Sequence, residues 1–358
     1  MAKDTLLVNV AGLLTGSERR LQAVHVDAPK AAFASLSPTA RGVHISAIGI
    51  DAGNTAFARS KLSGEAAVTG ENVTILRPGL VMADTSYGGT SLARALAVLP
   101  LVTPVIGDGT QVFNPIHATD LADIVAACLT QATPPGPHPI GGPEQISQAQ
   151  MLTKLRTWMG LAPARILPLP FGLARVLGAI GDALRLGPIS RTSVGQIQNS
   201  LLADGADFCV KLGLTPRPFS TFLNARPAGT QDLWQARLYF LNPLIRMTLA
   251  LLWLVSGILG LTLPTATFLP LIDTALPDTA LTVMARAGGL IDLAIAAALI
   301  RNWQPRATAA LQALMVASYT LAFTVLAPAL WLLPLGGLLK NLPILALIAT
   351  AAILQEER

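Results

Sequence analysis

The first residues that could do chemistry are a serine and a lysine fifteen positions apart. Ser46 follows the apolar run GVHI, and Lys61 ends the stretch FARSK at residues 57–61. On a helix, the first and last positions of that stretch lie on one face, one turn apart. A tyrosine at the first position would be a phenol whose pKa the lysine lowers. Phe57 occupies that position and has no hydroxyl, so the stretch is either a proton-transfer site without its acid or a coincidence of spacing.

Further candidates follow two other predicted strands. The turn Asn9-Val10-Ala11-Gly12 ends the first strand, and LRPGLV at 76–81 ends a later one. The ends of parallel strands meet at one crevice, glycine lets a ligand approach the backbone, serine can bond a carbonyl and lysine can bond ribose hydroxyls. We therefore expect these residues to converge: Ala11, Gly12, Ser46, Lys61, Pro78 and Gly79.

Three alternatives stay open at these positions. Ser46 could bond the backbone of its own turn, and Lys61 could lie on a solvated helix face. Asn9 is expected to bridge neighbouring strands rather than to take part in chemistry.

A metal site is not expected. The histidines show no ligand spacing, and His117 with Asp120 fits a turn and helix cap better than a metal pair. The two cysteines, Cys128 and Cys209, are isolated, which excludes a CxxC redox or zinc pair and favours a reducing compartment.

The composition indicates that part of the chain lies in lipid. Hydrophobic residues make up 52% of the 358 residues and charged residues 13%, with a mean hydropathy of +0.55. Soluble domains have about 25% charged residues. The net charge of +5 comes without a dense Lys/Arg run, so we interpret it as a signal for membrane orientation and not for nucleic-acid binding.

The elements that must position the candidates alternate along the first part of the chain. Strands are predicted at 4–12, 42–49 and 72–82, and helices at 27–36, 55–70 and 118–131, with Asp27 capping the first helix. Such alternation predicts a parallel sheet with helical crossovers. The amphipathic stretch 167–187 is predicted to be a helix that packs on the core, with the bilayer surface as the alternative.

Four apolar stretches of about 20 residues follow residue 240, which is the length needed to cross a bilayer. They lie at 243–263, 281–300, 307–327 and 335–354. Asp292 falls near the middle of the second, with Arg246 and Arg286 as the nearby cations. An intramembrane carboxylate needs a partner or water. A structural ion pair between spans is the favoured interpretation, and a proton- or quinone-linked site is the alternative.

The charges between the spans predict the orientation. Arginines precede the first span and lie between the second and third, at Arg301 and Arg306, whereas the loop after the first span carries Asp273 and Asp278. Basic loops stay in the cytoplasm. We expect a multi-pass protein of a bacterial-type inner (plasma) membrane, with the N-terminal domain in the cytoplasm.

The order of these motifs resembles the extended or atypical short-chain dehydrogenase/reductase family. The turn at 9–12, the serine-to-lysine spacing and LRPGLV resemble that family's later strands over roughly residues 4–225, within the branch that includes the NAD(P)H-binding accessory subunit of respiratory complex I. The four spans resemble the DoxX-like membrane domain. The resemblance implies α/β architecture with a partial Rossmann-type parallel sheet, followed by an all-α four-helix transmembrane bundle.

The same resemblance sets the expected domains and function. It implies a truncated NAD(P)-binding domain at 1–150, a helical substrate region at 151–235 and a membrane domain at 240–358. No G-x-G-x-x-G or G-x-x-G-x-x-G occurs, so the chain resembles the family from its fourth strand on, and cofactor binding is expected to be weak. The implied function is a degenerate, membrane-anchored NAD(P)(H)-binding oxidoreductase for a lipid or quinone. The alternative is a non-catalytic assembly or scaffold subunit of a membrane complex.

Overall fold

The structure is a computed structural model that describes residues 6–68, 70–134, 136–198, 200–272 and 276–355. It divides into two compact units, Met1–Arg237 and Leu238–Arg358. The finer division expected at residues 150 and 235 stays a prediction.

Ten strands lie in the described part of the N-terminal unit, and four of them form its main sheet. They are β1 Leu7–Asn9, β2 Gly42–Ile45, β3 Val73–Pro78, β4 Val81–Met82, β5 Val102–Ile106, β6 Val112–Phe113, β7 Ile116–His117, β8 Pro137–Ile140, β9 Ile146–Ser147 and β10 Arg165–Leu169. The main sheet has the order β1-β2-β3-β8, and all its pairs are parallel. Strands β5 and β10 pair in parallel, as do β4 and β7, whereas β6 and β9 are antiparallel.

Helices connect these strands, as expected for a Rossmann-type unit. They are α1 Glu18–Gln22, α2 Ala28–Ala34, α3 Ala56–Ala67, α4 Gly89–Ala97, α5 Ala118–Thr130, α6 Gln148–Trp158, α7 Phe171–Leu184, α8 Arg191–Ile197, α9 Ala206–Lys211 and α10 Phe219–Ala225. The predicted α/β class is confirmed. Helix α3 begins where Thr55 accepts a hydrogen bond from the Ala58 N–H, because a side-chain cap satisfies an otherwise unpaired amide.

The expected Asp27 cap is wrong. A π-helical turn at Ala23–Asp27 joins α1 to α2, so the backbone of Asp27 is already helical and its side chain makes no capping bond. The carboxylate instead accepts from the Gln22 amide. The helical segment starts ten residues earlier, where Ser17 accepts from the Arg20 N–H.

The main sheet is buried at its centre and exposed at one side. Val43, Leu76 and Ile140 from β2, β3 and β8 are fully buried and pack against Ile124 of α5. Strand β1 is at the edge, and among the described residues it pairs only with β2. The side chains of Leu6, Val8 and Val10, on the same face of this edge segment, are exposed.

Helix α7 differs from the expected packing. Residues 165–169 form β10, and the helix begins only at Phe171. Its buried residues are Ala174, Gly178 and Gly181, whereas its larger apolar side chains are exposed. The prediction that the amphipathic face packs on the core is therefore wrong, because the residues without large side chains occupy the inward face.

The C-terminal unit is helical. Its elements are α11 Thr230–Thr262, which begins before the unit boundary, α12 Thr265–Phe268, α13 Asp278–Ile300, α14 Pro305–Leu326 and α15 Asn341–Leu354, with 3-10 turns at Leu269–Leu271, Pro328–Leu332 and Pro334–Lys340. Four helical segments are long and apolar enough to cross a membrane, at Thr230–Thr262, Asp278–Ile300, Pro305–Leu326 and Gly336–Leu354. The four predicted apolar helices are confirmed in number and place. Asp273, expected in an external loop, lies outside the described residues.

The core of this unit combines large apolar side chains with glycine contacts. Trp253, Leu249 and Ile295 are fully buried in it. A Cβ on Gly257 would lie 2.8 Å from the Gly289 carbonyl oxygen, so α11 and α13 approach each other backbone to backbone. Small residues at such positions are the usual means of close packing between membrane helices.

Candidate functional site

The candidate residues gather at the carboxyl ends of β1 and β2, a region called the crevice below, which the side chain of Lys61 reaches from α3. Lys61 is 5% exposed, and its Nζ donates to the carbonyl oxygen of Ile45, the last residue of β2, over 3.0 Å. The alternative of a solvated helix face is therefore wrong. A buried ammonium with two further protons is a donor held ready for another acceptor.

Ser46 is the residue after that carbonyl. Its N–H donates to Leu76 O, which extends the pairing of β2 with β3. Its hydroxyl is buried and has no hydrogen-bond partner among the described residues. Such a group normally costs about 1–3 kcal/mol. The hydroxyl does not bond its own turn, so this alternative is wrong as well, and the group remains able to bond a ligand.

The turn after β1 forms the opposite wall. Asn9 accepts from the Ala11 N–H and donates from Nδ2 to His44 Nδ1 across the two strands, which confirms its bridging role. A Cβ on Gly12 would lie 3.8 Å from Lys61 Nζ. The backbone of Gly12 thus lies next to the ammonium of Lys61.

A histidine that the sequence did not indicate lies beside this wall. His25, in the π-helical turn, is 1% exposed, and its Nε2 accepts from the Leu13 N–H. Its Nδ1 must then carry the proton, which it donates to Ser60 Oγ, and that hydroxyl donates to the carbonyl of Phe57. The chain of bonds fixes His25 as a neutral imidazole with both nitrogens in use.

Phe57, the first residue of the FARSK stretch, is half-buried. Its ring packs edge-on against His25, with 5.7 Å between the ring centroids. Because Nδ1 of His25 donates its proton to Ser60, this proton is not free for another acceptor.

Burial is the main cause of the pKa shifts in the crevice. It lowers the pKa of His25 and of His44 from 6.5 to about 4, and the nearby charge of Lys61 acts in the same direction. Burial also lowers the pKa of Lys61 from 10.5 to about 8, with partial opposition from Glu65. At neutral pH the crevice therefore holds one positive charge and two neutral imidazoles.

Pro78 and Gly79 contribute less to the crevice than the sequence predicted. Pro78 ends β3 and accepts from the Ile48 N–H, two residues beyond Ser46. A Cβ on Gly79 would contact Asn114 and Ala203 instead of Lys61. Pro78 therefore borders the crevice, whereas Gly79 packs against a neighbouring loop.

A second polar cluster was missed from the sequence because its members are far apart in the chain. Arg94 and Arg226 both pair with the buried carboxylate of Asp232, at 3.2 and 2.7 Å, and both guanidinium groups lie about 5 Å from the Trp158 ring. Arg94, Arg226 and Trp158, together with His117, line a small cleft. Its charges are largely satisfied by one another.

No metal site is present in the described ranges. They contain no group of three His, Cys, Asp or Glu side chains that could hold an ion. His117 caps α5 by accepting from the Thr119 N–H, and Asp120 binds Arg217, as expected for a helix cap. Cys128 and Cys209 are free and buried.

The polar site among the spans differs from the expected ion pair. Asp292 is 3% exposed and accepts from Ser256 Oγ at 2.6 Å and from the Tyr319 hydroxyl at 3.0 Å. Among the described residues it takes part in no ion pair. Arg286 donates instead to the carbonyls of Gly260 and Leu263, at the end of α11, because the last carbonyls of a helix lack partners within it. Arg246 is buried at a separate cleft that also contains Trp303 and Gln355.

Comparison with known proteins gives a family match for the C-terminal unit. Residues 250–349 match the model of the DoxX-like family. No curated protein sequence matches the chain. The family match and the four apolar helices agree with a membrane protein.

Similar solved structures are found for the N-terminal part. One is dTDP-4-dehydrorhamnose reductase from Bacillus anthracis in complex with NADP, with 13% identity and a TM-score of 0.48 over 62% of this chain and 80% of that chain. Human epimerase family protein SDR39U1 with NADPH has 15% identity and a TM-score of 0.48 over 62% and 79%. UDP-glucuronic acid 4-epimerase from Bacillus cereus with NAD has 16% identity and a TM-score of 0.46 over 65% and 75%. Because the identities and TM-scores are this low, these structural similarities do not indicate what this chain binds.

Proposed function

We propose that the crevice binds NAD(P)(H) weakly and that the chain is a membrane-anchored, degenerate oxidoreductase. The observation that supports this most is the pairing of a buried ammonium, Lys61, with the unpartnered hydroxyl of Ser46 at the carboxyl ends of parallel strands. Ligands of open α/β sheets bind at that edge. The motif order in the sequence points to the same cofactor.

The residues present suit the ribose and nicotinamide side of such a cofactor. Lys61 keeps two protons for ribose hydroxyls after its bond to Ile45, and Ser46 offers a hydroxyl to a carbonyl group. Ala11 and Gly12 form the wall without large side chains, and Pro78 borders it. When bound, the cofactor would supply a hydride.

The proton for such a reaction has no evident donor. Phe57 cannot protonate an alkoxide, and the imidazole of His25 is engaged with Leu13 and Ser60. Loss of a general acid costs about 10²–10⁴ in rate. Turnover is therefore expected to be slow or nil, with Lys61 and Ser46 retained as binding residues.

The affinity is expected to be low because the sequence has no glycine-rich turn to hold the pyrophosphate. A dissociation constant near or above about 1 mM corresponds to roughly 4 kcal/mol of binding free energy.

The membrane unit suggests the substrate class. A lipid or a quinone would share the bilayer with the four spans. The Arg301 and Arg306 loop favours a cytoplasmic N-terminal unit at a bacterial-type inner membrane. For Asp292, a proton- or quinone-linked role remains the alternative to a structural one.

A non-catalytic role is the second candidate, favoured by the missing acid at Phe57. In it, the N-terminal unit serves as an interaction surface for assembly of a membrane complex. The crevice would then bind no nicotinamide cofactor at any concentration.

The test is titration of the full chain in lipid nanodiscs with NADH and NADPH, followed by the fluorescence of the reduced nicotinamide. Wild type should bind in the millimolar range, and Lys61→Met should weaken binding at least about tenfold, or 1.4 kcal/mol. Lys30→Met is the matched control, since Lys30 is exposed on α2, and should bind like wild type.

Each result decides between the candidates. Equal loss in both lysine variants would indicate a non-specific charge effect and overturn the crevice assignment. Absence of binding by folded wild type at saturating nucleotide would reject cofactor binding and favour the scaffold. Micromolar binding would refute the low affinity and place the phosphates on another segment.

A further inference from the structure

Helix α7 presents large apolar side chains to solvent in a regular stripe. Leu173, Val176, Leu177 and Ile180 are between 43% and 56% exposed. Their spacing of three and four residues aligns them along one helix face. Scattered exposed apolar residues are ordinary, but a contiguous set on one element marks an interaction surface.

The opposite face explains why the stripe points outward. A Cβ on Gly178 would lie 2.8 Å from the Arg191 nitrogen, and one on Gly181 would lie 1.8 Å from the Ile189 carbonyl oxygen. Ala174 completes this inward face. The helix therefore packs on residues 189–191 through its smallest residues and cannot turn its leucines inward without backbone clashes.

The segment that contains the stripe is basic. The segment 165–191 contains four arginines and one aspartate. Arg165, Arg175, Arg185 and Arg191 are all exposed. Arg191 pairs with Asp182, the only acid of the segment, and Arg175 bonds Gln198. An apolar face flanked by arginines complements an anionic lipid surface, with the apolar side chains among acyl chains and the guanidinium groups among headgroups.

We propose that α7 is an interfacial helix whose Leu173–Ile180 stripe inserts into the headgroup region of an anionic bilayer. The four membrane-crossing helices keep the chain at a bilayer, so even a modest affinity is effective. This proposal is independent of the cofactor. It assigns α7 a role in holding the N-terminal unit at the lipid surface from which an apolar substrate would come.

The experiment places an environment-sensitive NBD fluorophore on Val176→Cys in the full chain. Val210→Cys is the matched control, a valine of α9 that is 72% exposed. Unmutated protein serves as the labelling blank, because Cys128 and Cys209 are buried. Both proteins are placed in nanodiscs of phosphatidylcholine with or without phosphatidylglycerol, and with or without doxyl-labelled acyl chains.

The label at 176 should emit at shorter wavelength in phosphatidylglycerol discs and lose at least about half its intensity to doxyl lipid. The label at 210 should behave as in water. Water-like emission at 176 in anionic discs would overturn the proposal. A blue shift that doxyl lipid does not quench, and that appears only with two chains per disc, would instead show contact with a second copy. Ile180→Cys repeats the test if Val176→Cys does not fold.

Discussion

The ammonium of Lys61 donates to the carbonyl oxygen of Ile45, the last residue of β2, over 3.0 Å. This bond fixes the lysine beside the next residue, Ser46, although the two side chains belong to different elements. A buried ammonium, a hydroxyl without a partner among the described residues and a glycine backbone thus lie together at the ends of β1 and β2. Substitutions at and around these residues can therefore be tested by stability measurements, without knowledge of the substrate.

Phe57→Tyr should lower the thermal midpoint of the detergent-solubilised chain by less than about 5 °C. Phe57 is half-buried, so a new hydroxyl can reach water. Phe33→Tyr is the control, since Phe33 is 6% exposed and packs tightly against Gly42, and a buried hydroxyl costs about 1–3 kcal/mol. A larger loss for Phe57→Tyr than for Phe33→Tyr would place Phe57 in a dry core and contradict the crevice. Neither variant is expected to restore turnover.

Lowering the pH from 6.5 to 4 should destabilise the N-terminal unit. The pKa of His25 and of His44 is about 4 in the folded chain and 6.5 when exposed, so in this range the unfolded chain binds more protons. Stability then falls by up to about 1.4 kcal/mol per pH unit for each histidine. His25→Gln keeps an acceptor and a donor but does not titrate. In urea unfolding of the protein in nanodiscs, its free energy of unfolding should therefore fall less per pH unit than that of wild type. A slope unchanged from wild type would refute the assignment of His25.

Gly64→Ala should destabilise the N-terminal unit by about 1–3 kcal/mol. A Cβ on Gly64 would lie 2.1 Å from the His25 carbonyl oxygen, so α3 and the π-helical turn would have to separate. Gly89→Ala is the control, because a Cβ there meets nothing within 4 Å. The two variants are compared by urea unfolding. Equal stability of the two variants would contradict the prediction, because it would show that the π-helical turn can move away from α3 at little cost.

Tyr319→Phe should lower the thermal midpoint of the membrane unit, because the carboxylate of Asp292 loses one of its two hydroxyl donors. Removing one partner of a buried polar group costs about 1–3 kcal/mol. Tyr87→Phe, at a 79% exposed position, should leave the midpoint unchanged. If both variants match wild type, the Tyr319 bond is not structural.

The orientation is tested with reporters. A reporter after Arg358 should behave as cytoplasmic and one inserted at Asp278 as external, because the basic loop at Arg301 and Arg306 stays inside. The opposite pattern would reject the proposed sidedness. Release of the intact chain by salt alone would reject membrane insertion.

The sequence predicted what depends on local patterns and motif order. Thr55 marks the start of α3, hydropathy marks the spans, and Ser46 and Lys61 follow from the order of strands and helices. His25 could not be found, because its contacts with Leu13 and Ser60 join segments 12 and 35 residues apart.

The partner of Asp292 was unpredictable for a related reason. Hydropathy does not define the rotation of a span about its axis, and that rotation places Ser256 and Tyr319, not Arg246 or Arg286, beside the carboxylate. Likewise, Asp27 has the right type and spacing for a cap, but the preceding π-helical turn makes a cap unnecessary.

The exposed edge of β1 has a consequence for how the protein can be handled. In the described part of the chain its outer backbone groups face no strand, and Leu6, Val8 and Val10 make one face apolar. An unprotected apolar edge is a template on which a further strand can add. For the described N-terminal unit without its apolar helices, we therefore expect intermolecular sheet formation through this edge, which a short peptide that pairs with residues 6–10 should suppress.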